Sequence, residues 1–249
     1  MPEFDCTADR LIQGAYDLHM HAAPSPFHRA MDDFGLLEEA GRAGMAGIVL
    51  KSHYEPTAAR AELVNTHCSS CCTAYGAIAL NWPVGGLNPY AVENALRRNA
   101  RIVWMPTRDS ANSLLSGNMP GDFFDRPGIS AVDESGRLKP EVYQILEIAK
   151  KYNAVVATGH LSAAESILLC RKGREQGVRM ILTHPEFDRT VVDAATQKEM
   201  ADLGVFIEKC WQNIGDNICS AEEMASHIRQ VGAEHCFLVT ARGQGDRER

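Results

Sequence analysis

The sequence has no apolar run that approaches the ~20 residues needed to span a bilayer, so we expect no membrane partner. It has no basic excess either, because 25 Lys and Arg against 32 Asp and Glu give a net charge of -7. Proteins that bind nucleic acid normally carry a basic patch, so we expect no nucleic-acid partner. The N-terminus lacks a basic stretch followed by an apolar run. That absence predicts a cytoplasmic location.

Internal repeats, low-complexity tracts and interdomain linkers are also missing, which predicts one domain over residues 1–249. The eight cysteines include a C-x-x-C spacing at Cys68 and Cys71, but no second pair completes a zinc site. We interpret this segment as a helix-to-strand connection. The thiols are expected to be free rather than paired in disulfides.

What the sequence does contain is a regular alternation of apolar segments and amphipathic helical patterns. Several of the segments are apolar throughout, which is typical of strands covered on both faces of a parallel sheet. Eight strand-helix alternations in about 250 residues predict an α/β fold, a (β/α)8 TIM-type barrel. An open doubly wound sheet is the alternative, weakened because no Gly-rich phosphate loop follows the first strand. The predicted strands are 15–20, 47–50, 74–80, 101–105, 154–157, 179–182, 204–207 and 235–239.

Two further expectations concern the outline of this barrel. The long interval between the fourth and fifth strands contains 129–132 and 137–138 around Asp133-Glu134-Ser135-Gly136, which predicts a small hairpin insertion. No helical pattern follows the eighth strand, so the closing helix is predicted to be missing. Ser162 with Glu165, and Ser220 with Glu223, predict capping boxes at two helix starts.

The most informative polar pattern lies in the first strand. Asp17, His19 and His21 alternate with apolar residues, so they share one face of the strand. Two imidazoles on one face at a strand end can reach a single divalent cation. His-x-His alone is a weak motif, and a structural role for both histidines is the alternative.

Other polar residues follow the remaining strands, at the barrel end where TIM-barrel chemistry occurs. Histidines His53, His160 and His184 follow the second, fifth and sixth strands. Convergence of these side chains with His19 and His21 would favour a metal site over five separate structural roles. Further polar residues at strand ends are Lys51, Asn81, Arg108, Asp109 and Glu208.

Together these motifs resemble the amidohydrolase superfamily of metal-dependent hydrolases, over most of the chain from about Tyr16 to Gln244. The segments around Lys51, His160 and His184 resemble an uncharacterised branch of it. The resemblance implies that His19, His21, His160 and His184 bind one or two divalent metals, most readily zinc, with manganese or iron as alternatives. Lys51 is a further candidate ligand, as a carboxylated lysine; its other interpretation is a buried cation paired with Glu208 or Asp17.

One position departs from the superfamily pattern. An Asp that ligates metal and accepts a proton is expected after the eighth strand, and Ala241 stands there. We therefore expect either impaired activity or another base, with Glu208, His53 or Asp109 as candidates. His53 or Arg108 would hold a developing oxyanion or a substrate carboxylate.

The functional hypothesis from these residues is a metal-dependent hydrolase. Metal-activated water would attack an amide, ester or lactone carbon of a small polar substrate. The alternatives are a metal-dependent decarboxylase and a catalytically dead metal- or ligand-binding homologue, which Ala241 supports. We further expect a homo-oligomer.

Overall fold

The computed structural model describes residues 10–117 and 125–243 of the chain. Its centre is a sheet of eight parallel strands in sequential order, which confirms the predicted (β/α)8 barrel. The strands are β1 Tyr16–Met20, β2 Gly47–Leu50, β3 Thr73–Ala79, β4 Ala100–Trp104, β5 Val155–Ala157, β6 Arg179–Leu182, β7 Phe206–Cys210 and β8 Cys236–Val239.

Helices cover the outside of the sheet. They are α1 Asp33–Arg42, α2 Ala58–His67, α3 Pro89–Arg97, α4 Ala111–Leu115, α5 Pro140–Lys151, α6 Ala163–Glu175, α7 Ala194–Asp202, α8 Trp211–Gly215 and α9 Ala221–Val231, with 3-10 turns at Trp82–Val84 and Ala233–His235. Among the described residues, no helix is long and apolar enough to cross a membrane.

One of the two predicted capping boxes forms completely, and the other forms in part. At α6 the Ser162 side chain accepts from the Glu165 N–H, and Glu165 returns the bond to the cap backbone. At α9 only the Ser220 half of the box forms. Gly44 ends the α1 connection at φ +82°, a left-handed conformation that favours glycine just before β2.

Two apolar layers hold the barrel together. The larger layer packs between the sheet and the helices, and includes Leu146, Val156 and Leu169. A second cluster fills the barrel interior with side chains from alternating strands, as TIM barrels require. Its largest member is the fully buried Trp104, which forms the floor beneath the polar mouth of the barrel.

The seam between the first and last strands is closed by side chains. Strand pairing runs from β1 to β8 and, in the described residues, does not continue from β8 back to β1. Instead the Thr240 N–H and Oγ1 donate to Asp17 Oδ2 at 3.0 and 2.7 Å. The His19 N–H donates to the other oxygen of Asp17 at 3.0 Å, and the His21 N–H donates to the Arg242 carbonyl at 2.9 Å. These bonds fix the backbone that presents both β1 histidines.

Two predicted elements differ in length from the structure. Strand β7 runs to Cys210 rather than ending at Ile207, so Glu208 lies inside the strand. The predicted hairpin is present in short form, with one antiparallel bridge between Val132 and Leu138, and the Lys139 N–H donates to the Ala131 carbonyl beside it. Asp133 explains this, because its side chain accepts from the backbone of Ser135 and Arg137 and closes a tight loop instead of extending two strands.

The closing helix is absent up to Gly243, and residues 244–249 lie outside the described part of the chain. On this side of the barrel, a groove of about 630 Å³ runs between α1 and α8. Apolar side chains beside β8 remain partly exposed, among them Trp211 and Leu238. The predicted segment at Cys68–Cys72 does connect α2 to β3, as expected.

Candidate active site

The five histidines predicted at strand ends meet at the carboxyl end of the barrel. Their imidazoles form a closed circuit, which we call the histidine ring. Successive ring centroids are 5.3, 5.0, 6.3, 5.1 and 5.9 Å apart, in the order His19, His21, His53, His160, His184 and back to His19. Residues separated by up to 165 positions in the chain therefore share one small volume.

The histidine ring is buried and neutral. Each imidazole is at most 6 % exposed. Desolvation lowers the pKa of all five well below the ordinary value of 6.5, to about 3 for His184. A neutral imidazole keeps a free lone pair on one nitrogen, and that is the form that binds metal. Because the imidazoles of the histidine ring are already neutral, they can bind a metal without first losing a proton.

Lys51 extends into the histidine ring. Its Nζ lies 2.9 Å from His19 Nε2 and 4.7 Å from the centre of the Trp104 ring. The positive charge of Lys51 contributes to the lowered pKa of every histidine in the ring. Burial in turn lowers the pKa of Lys51 to about 8, which brings its neutral form within reach at ordinary pH.

Glu208 completes a chain of three groups with Lys51 and His19. Its Oε1 lies 3.0 Å from His19 Nδ1, and burial raises the pKa of this carboxyl. With a proton on Nδ1, the His19 imidazole donates to Glu208 and accepts from Lys51. A neutral imidazole thus separates a buried cation from a buried carboxylate. These contacts are compatible with both interpretations of Lys51. It is a buried cation linked to Glu208 through His19, and it also lies beside a histidine that is a candidate metal ligand.

Hydroxyl groups contact three of the other four imidazoles. The Thr190 hydroxyl donates to the His184 carbonyl, so His184 Nδ1 must donate to Thr190 Oγ1 across 3.2 Å. That tautomer leaves the Nε2 lone pair of His184 available. Ser113 Oγ lies 3.2 Å from His160 Nδ1, and Thr107 Oγ1 lies 2.8 Å from His53 Nδ1. Such outer partners fix ring orientation in metal sites.

The histidine ring has the chemistry and spacing of a metal site. Imidazoles that share one tetrahedral zinc have centroids about 5 Å apart, given Zn–N bonds of about 2.0–2.1 Å, and the His19–His21, His21–His53 and His160–His184 pairs match this. His21 Nδ1 is buried with no hydrogen-bond partner, a state that ligation would relieve. The residues therefore fit a divalent metal.

The present side-chain arrangement is nevertheless closed. In the described residues, no group of three or more His, Cys, Asp or Glu side chains has its ligand atoms already set to hold a metal ion. The physical reason is visible at His19, where both ring nitrogens are engaged, one by Glu208 and one by Lys51. Ligation by His19 would require Lys51 to leave Nε2.

Asn81 and Asp109 have structural roles. Asn81 Oδ1 accepts from the N–H groups of Thr107 and Asp109, and its Nδ2 donates to Thr107 Oγ1 and to the His53 carbonyl. Asp109 accepts from the Trp82 N–H at 2.7 Å and pairs with Arg126. Asp109, one of the candidate bases, is therefore occupied by a buried ion pair.

Arg108 and the previously unpredicted Arg29 lie at the rim of the site. Both are buried, and both guanidinium groups lie against the ring of Phe27, with Cζ-to-centroid distances of 4.2 and 5.7 Å. Arg29 belongs to the long β1–α1 loop, which has no periodic pattern. No local signal in this loop distinguishes Arg29 from an exposed arginine.

Ala241 occupies a conformation unusual for alanine. Its φ is +50°, in the left-handed region that Asn and Asp adopt more readily. The side chain is buried beside Cys210 and Val239. The backbone at this position is thus compatible with the Asp expected from the superfamily pattern, although the carboxylate itself is missing.

We expect Glu208→Gln to lower the free energy of unfolding of the metal-free protein by about 3 kcal/mol, because it leaves the buried Lys51 without its carboxylate. The double variant Glu208→Gln, Lys51→Met removes both charges and is expected to recover most of that loss. Urea denaturation of the four proteins in this cycle measures the coupling.

The matched control is the exposed pair of Arg98 and Glu62, 3.5 Å apart. Glu62→Gln is expected to change the unfolding free energy by less than about 1 kcal/mol. Equal losses in Glu208→Gln and Glu62→Gln would show that the chain of Glu208, His19 and Lys51 carries no buried charge.

A family model described as "Family of unknown function (DUF6282)" matches residues 14–208. The chain belongs to this family. The match ends at Glu208, so it includes all five histidines, Lys51 and Arg108. No curated protein matches the sequence.

Solved structures share the fold. An amidohydrolase from Pseudomonas aeruginosa is 13% identical and superposes with a TM-score of 0.64, covering 98% of this chain and 79% of its own. The probable dipeptidase PvdM from the same organism is 12% identical with a TM-score of 0.62, covering 96% of this chain and 86% of its own. At these identities the likeness concerns the fold alone, and it confirms the predicted resemblance of this DUF6282 member to the amidohydrolase-like barrel.

Proposed function

We propose that this protein is a metal-dependent hydrolase that acts on an amide, ester or lactone carbon of a small polar substrate. The observation that carries the proposal is the histidine ring, buried and neutral at the carboxyl mouth of the barrel. The structural likeness to an amidohydrolase and a probable dipeptidase supports the hydrolytic class. The proposed location remains the cytoplasm, and the proposed assembly a homo-oligomer.

In this proposal His19, His21, His160 and His184 hold one or two divalent ions, with zinc preferred because imidazole nitrogen suits it. Lys51 becomes a ligand only after losing a proton or being carboxylated, and its pKa of about 8 favours both. When bound, the metal would lower the pKa of a coordinated water toward about 7 and polarise a substrate carbonyl.

The remaining residues have roles that follow from their contacts. Glu208 keeps the proton of His19 on Nδ1, so Nε2 faces the centre of the site. His53 contacts Thr107 through Nδ1 and presents its Nε2 edge to the same space, where it can donate to or accept from the substrate. Arg108 supplies a fixed positive charge for an oxyanion or a carboxylate.

A second candidate is a catalytically dead homologue that binds metal or ligand. Ala241 favours it, because alanine can neither ligate metal nor accept a proton. The engagement of both nitrogens of His19 favours it as well, since the site stays closed until Lys51 moves.

The proposal predicts a metal-to-protein ratio of about one or two after expression in metal-replete medium. We expect His160→Ala and His184→Ala to reduce the bound metal roughly tenfold or more, because each removes a ligand. The control is His67→Ala, an exposed position at the end of α2. Elemental analysis of the purified proteins provides the measurement.

Two results would contradict the metal proposal. One is wild-type protein that contains no zinc, manganese or iron under these conditions. The other is equal metal content in His160→Ala, His184→Ala and His67→Ala, which would place any bound metal away from the histidine ring.

A further inference from the structure

A buried polar cluster lies on the outer side of the barrel wall, between strand β7 and helices α7 and α9. Lys209 Nζ donates to Glu186 Oε1 and, at 2.6 Å, to Gln197 Oε1. His227 Nδ1 lies 3.1 Å from the same Glu186 oxygen. We call these four residues the outer cluster. The side chains of Lys209 and Glu186 are 0 and 2 % exposed, so their ion pair is shielded from water.

Two chain segments connect the outer cluster to the histidine ring. Glu186 follows His184 by two residues, and Lys209 directly follows Glu208. Successive side chains of a strand point to opposite faces, so Glu208 contacts His19 inside the barrel while Lys209 contacts α7 outside it. The Glu186–Lys209 pair therefore joins the loop after β6 to β7 at the level where His184 and Glu208 face inward.

The backbone of His184 is strained. Its φ is +28°, a positive value that residues other than glycine rarely adopt, and the following Pro185 restricts it further. The Thr190 hydroxyl and the Phe187 N–H both donate to the His184 carbonyl, at 3.0 and 2.9 Å. Strained residues persist only where their surroundings hold them, and they concentrate at functional sites.

The outer cluster holds this loop at two points. Glu186 attaches its first half to Lys209 of β7. Gln197 Nε2 donates to the Val192 carbonyl at 2.7 Å and so attaches the second half, and the same nitrogen donates to Glu186 Oε1 at 3.3 Å. The loop from His184 to Val192 is therefore fixed to the barrel wall from the outside.

Stability alone does not account for this buried ion pair. Replacing such a pair by well-packed apolar side chains is often neutral or stabilising. Glu186 Oε2 is also buried without a hydrogen-bond partner in the described part of the chain, which a network selected only for stability would avoid. What charge-assisted hydrogen bonds do supply is a defined geometry between the segments that they join.

We propose that the Glu186–Lys209 pair is a positioning device for His184. It holds the strained loop so that the imidazole keeps one tautomer, with Nδ1 on Thr190 and Nε2 free for the centre of the histidine ring. This inference rests on the proposed function, because it concerns a proposed metal ligand. The positioning itself is a property of the metal-free protein and can be measured without metal.

The double variant Glu186→Leu, Lys209→Met removes both charges and tests the proposal. Nitrogen-15 NMR of the imidazoles in the metal-free protein measures the tautomer, and His184→Ala identifies the His184 signal by its loss. The wild type is expected to show the Nδ1–H tautomer alone, and the double variant a mixture of both. We also expect the double variant to bind zinc roughly tenfold more weakly, measured by competition with a chromophoric chelator.

Two further variants keep the test decisive. If the double variant does not fold, Glu186→Gln keeps the side-chain shape and is expected to give the same mixture of tautomers. The matched control is Leu146→Ala, a fully buried core position on α5, which packs against α3 and β5. This control should lose stability but keep one His184 tautomer and the wild-type affinity for zinc.

The outcomes separate the positioning role from the metal proposal. A single His184 tautomer in the double variant would overturn the positioning role, whatever the zinc affinity. Mixed tautomers in Leu146→Ala as well would also overturn it, because the effect would then follow from any loss of stability. Wild-type protein that binds no zinc would contradict the proposed function, and the tautomer comparison would still decide the role of the Glu186–Lys209 pair.

Discussion

Lowering the pH from 7 to 5 is expected to reduce the free energy of unfolding of the metal-free protein by about 5 kcal/mol. The cause is the histidine ring. Its five imidazoles stay neutral in the folded protein because burial lowers each pKa well below 6.5. In the unfolded chain they protonate at about 6.5. Below that pH the unfolded state binds more protons, so stability falls as the pH falls.

Other buried groups either oppose this loss of stability or keep the same charge between pH 7 and 5. Burial raises the pKa of Asp17 to about 6 and also raises that of Glu208. Both therefore take up protons first in the folded state and offset part of the loss. Lys51, with a pKa of about 8, is charged in both states throughout. The five imidazoles outnumber these two carboxyls, so unfolding still takes up protons on balance and stability still falls as the pH falls.

Urea denaturation at a series of pH values, with metal removed, measures this slope. His160→Gln is expected to lower the net proton uptake by about one, because it removes one of the buried imidazoles. A stability that is constant between pH 7 and 5 would show that the imidazoles protonate freely in the folded protein, and that the histidine ring is open to water.

The sequence was sufficient for the barrel because several of its strands are apolar throughout and several of its helices have clear buried stripes. It was also sufficient for the histidine ring, because the carboxyl ends of parallel strands meet at one end of a barrel. The five histidines could therefore be assigned to one site without knowledge of their side-chain geometry. What the spacing could not supply was the tautomer of each imidazole, which depends on hydroxyls such as Thr107 and Thr190 from other loops.

Arg29 and the bonds of Asp17 to Thr240 and the His19 backbone were missed for a different reason. Arg29 lies in a loop, where no period distinguishes an inward from an outward side chain. Asp17 was considered as a member of the polar face of β1 and as a possible partner of Lys51. Its partners are Thr240 and the His19 backbone, and both bonds depend on how β8 meets β1. Long-range closure of this kind leaves no local pattern in the sequence.

The largest effect on activity is expected from Ala241→Asp. If the protein is an impaired hydrolase, the added carboxylate can accept the proton that alanine cannot, and general-base assistance is typically worth ~10²–10⁴ in rate. Turnover of a panel of esters, lactones and amides, with zinc added in each case, measures the gain. Ala241→Asn supplies the same shape without the charge and should show no such increase.

The fold is compatible with this substitution. At φ +50° an Asp or Asn is less strained than alanine, so both variants keep the backbone. The new carboxylate would lie beside Cys210, which is itself near enough to Lys51 to influence the pKa of that lysine.

The two candidate functions predict opposite results for the turnover of Ala241→Asp. A gain in Ala241→Asp but not in Ala241→Asn identifies a hydrolase that lacks one carboxylate. If both variants fold with wild-type metal content and neither turns over any substrate of the panel, the missing Asp is not what limits the site. The binding homologue then becomes the better description, because the site holds its metal and the restored carboxylate and still gives no turnover.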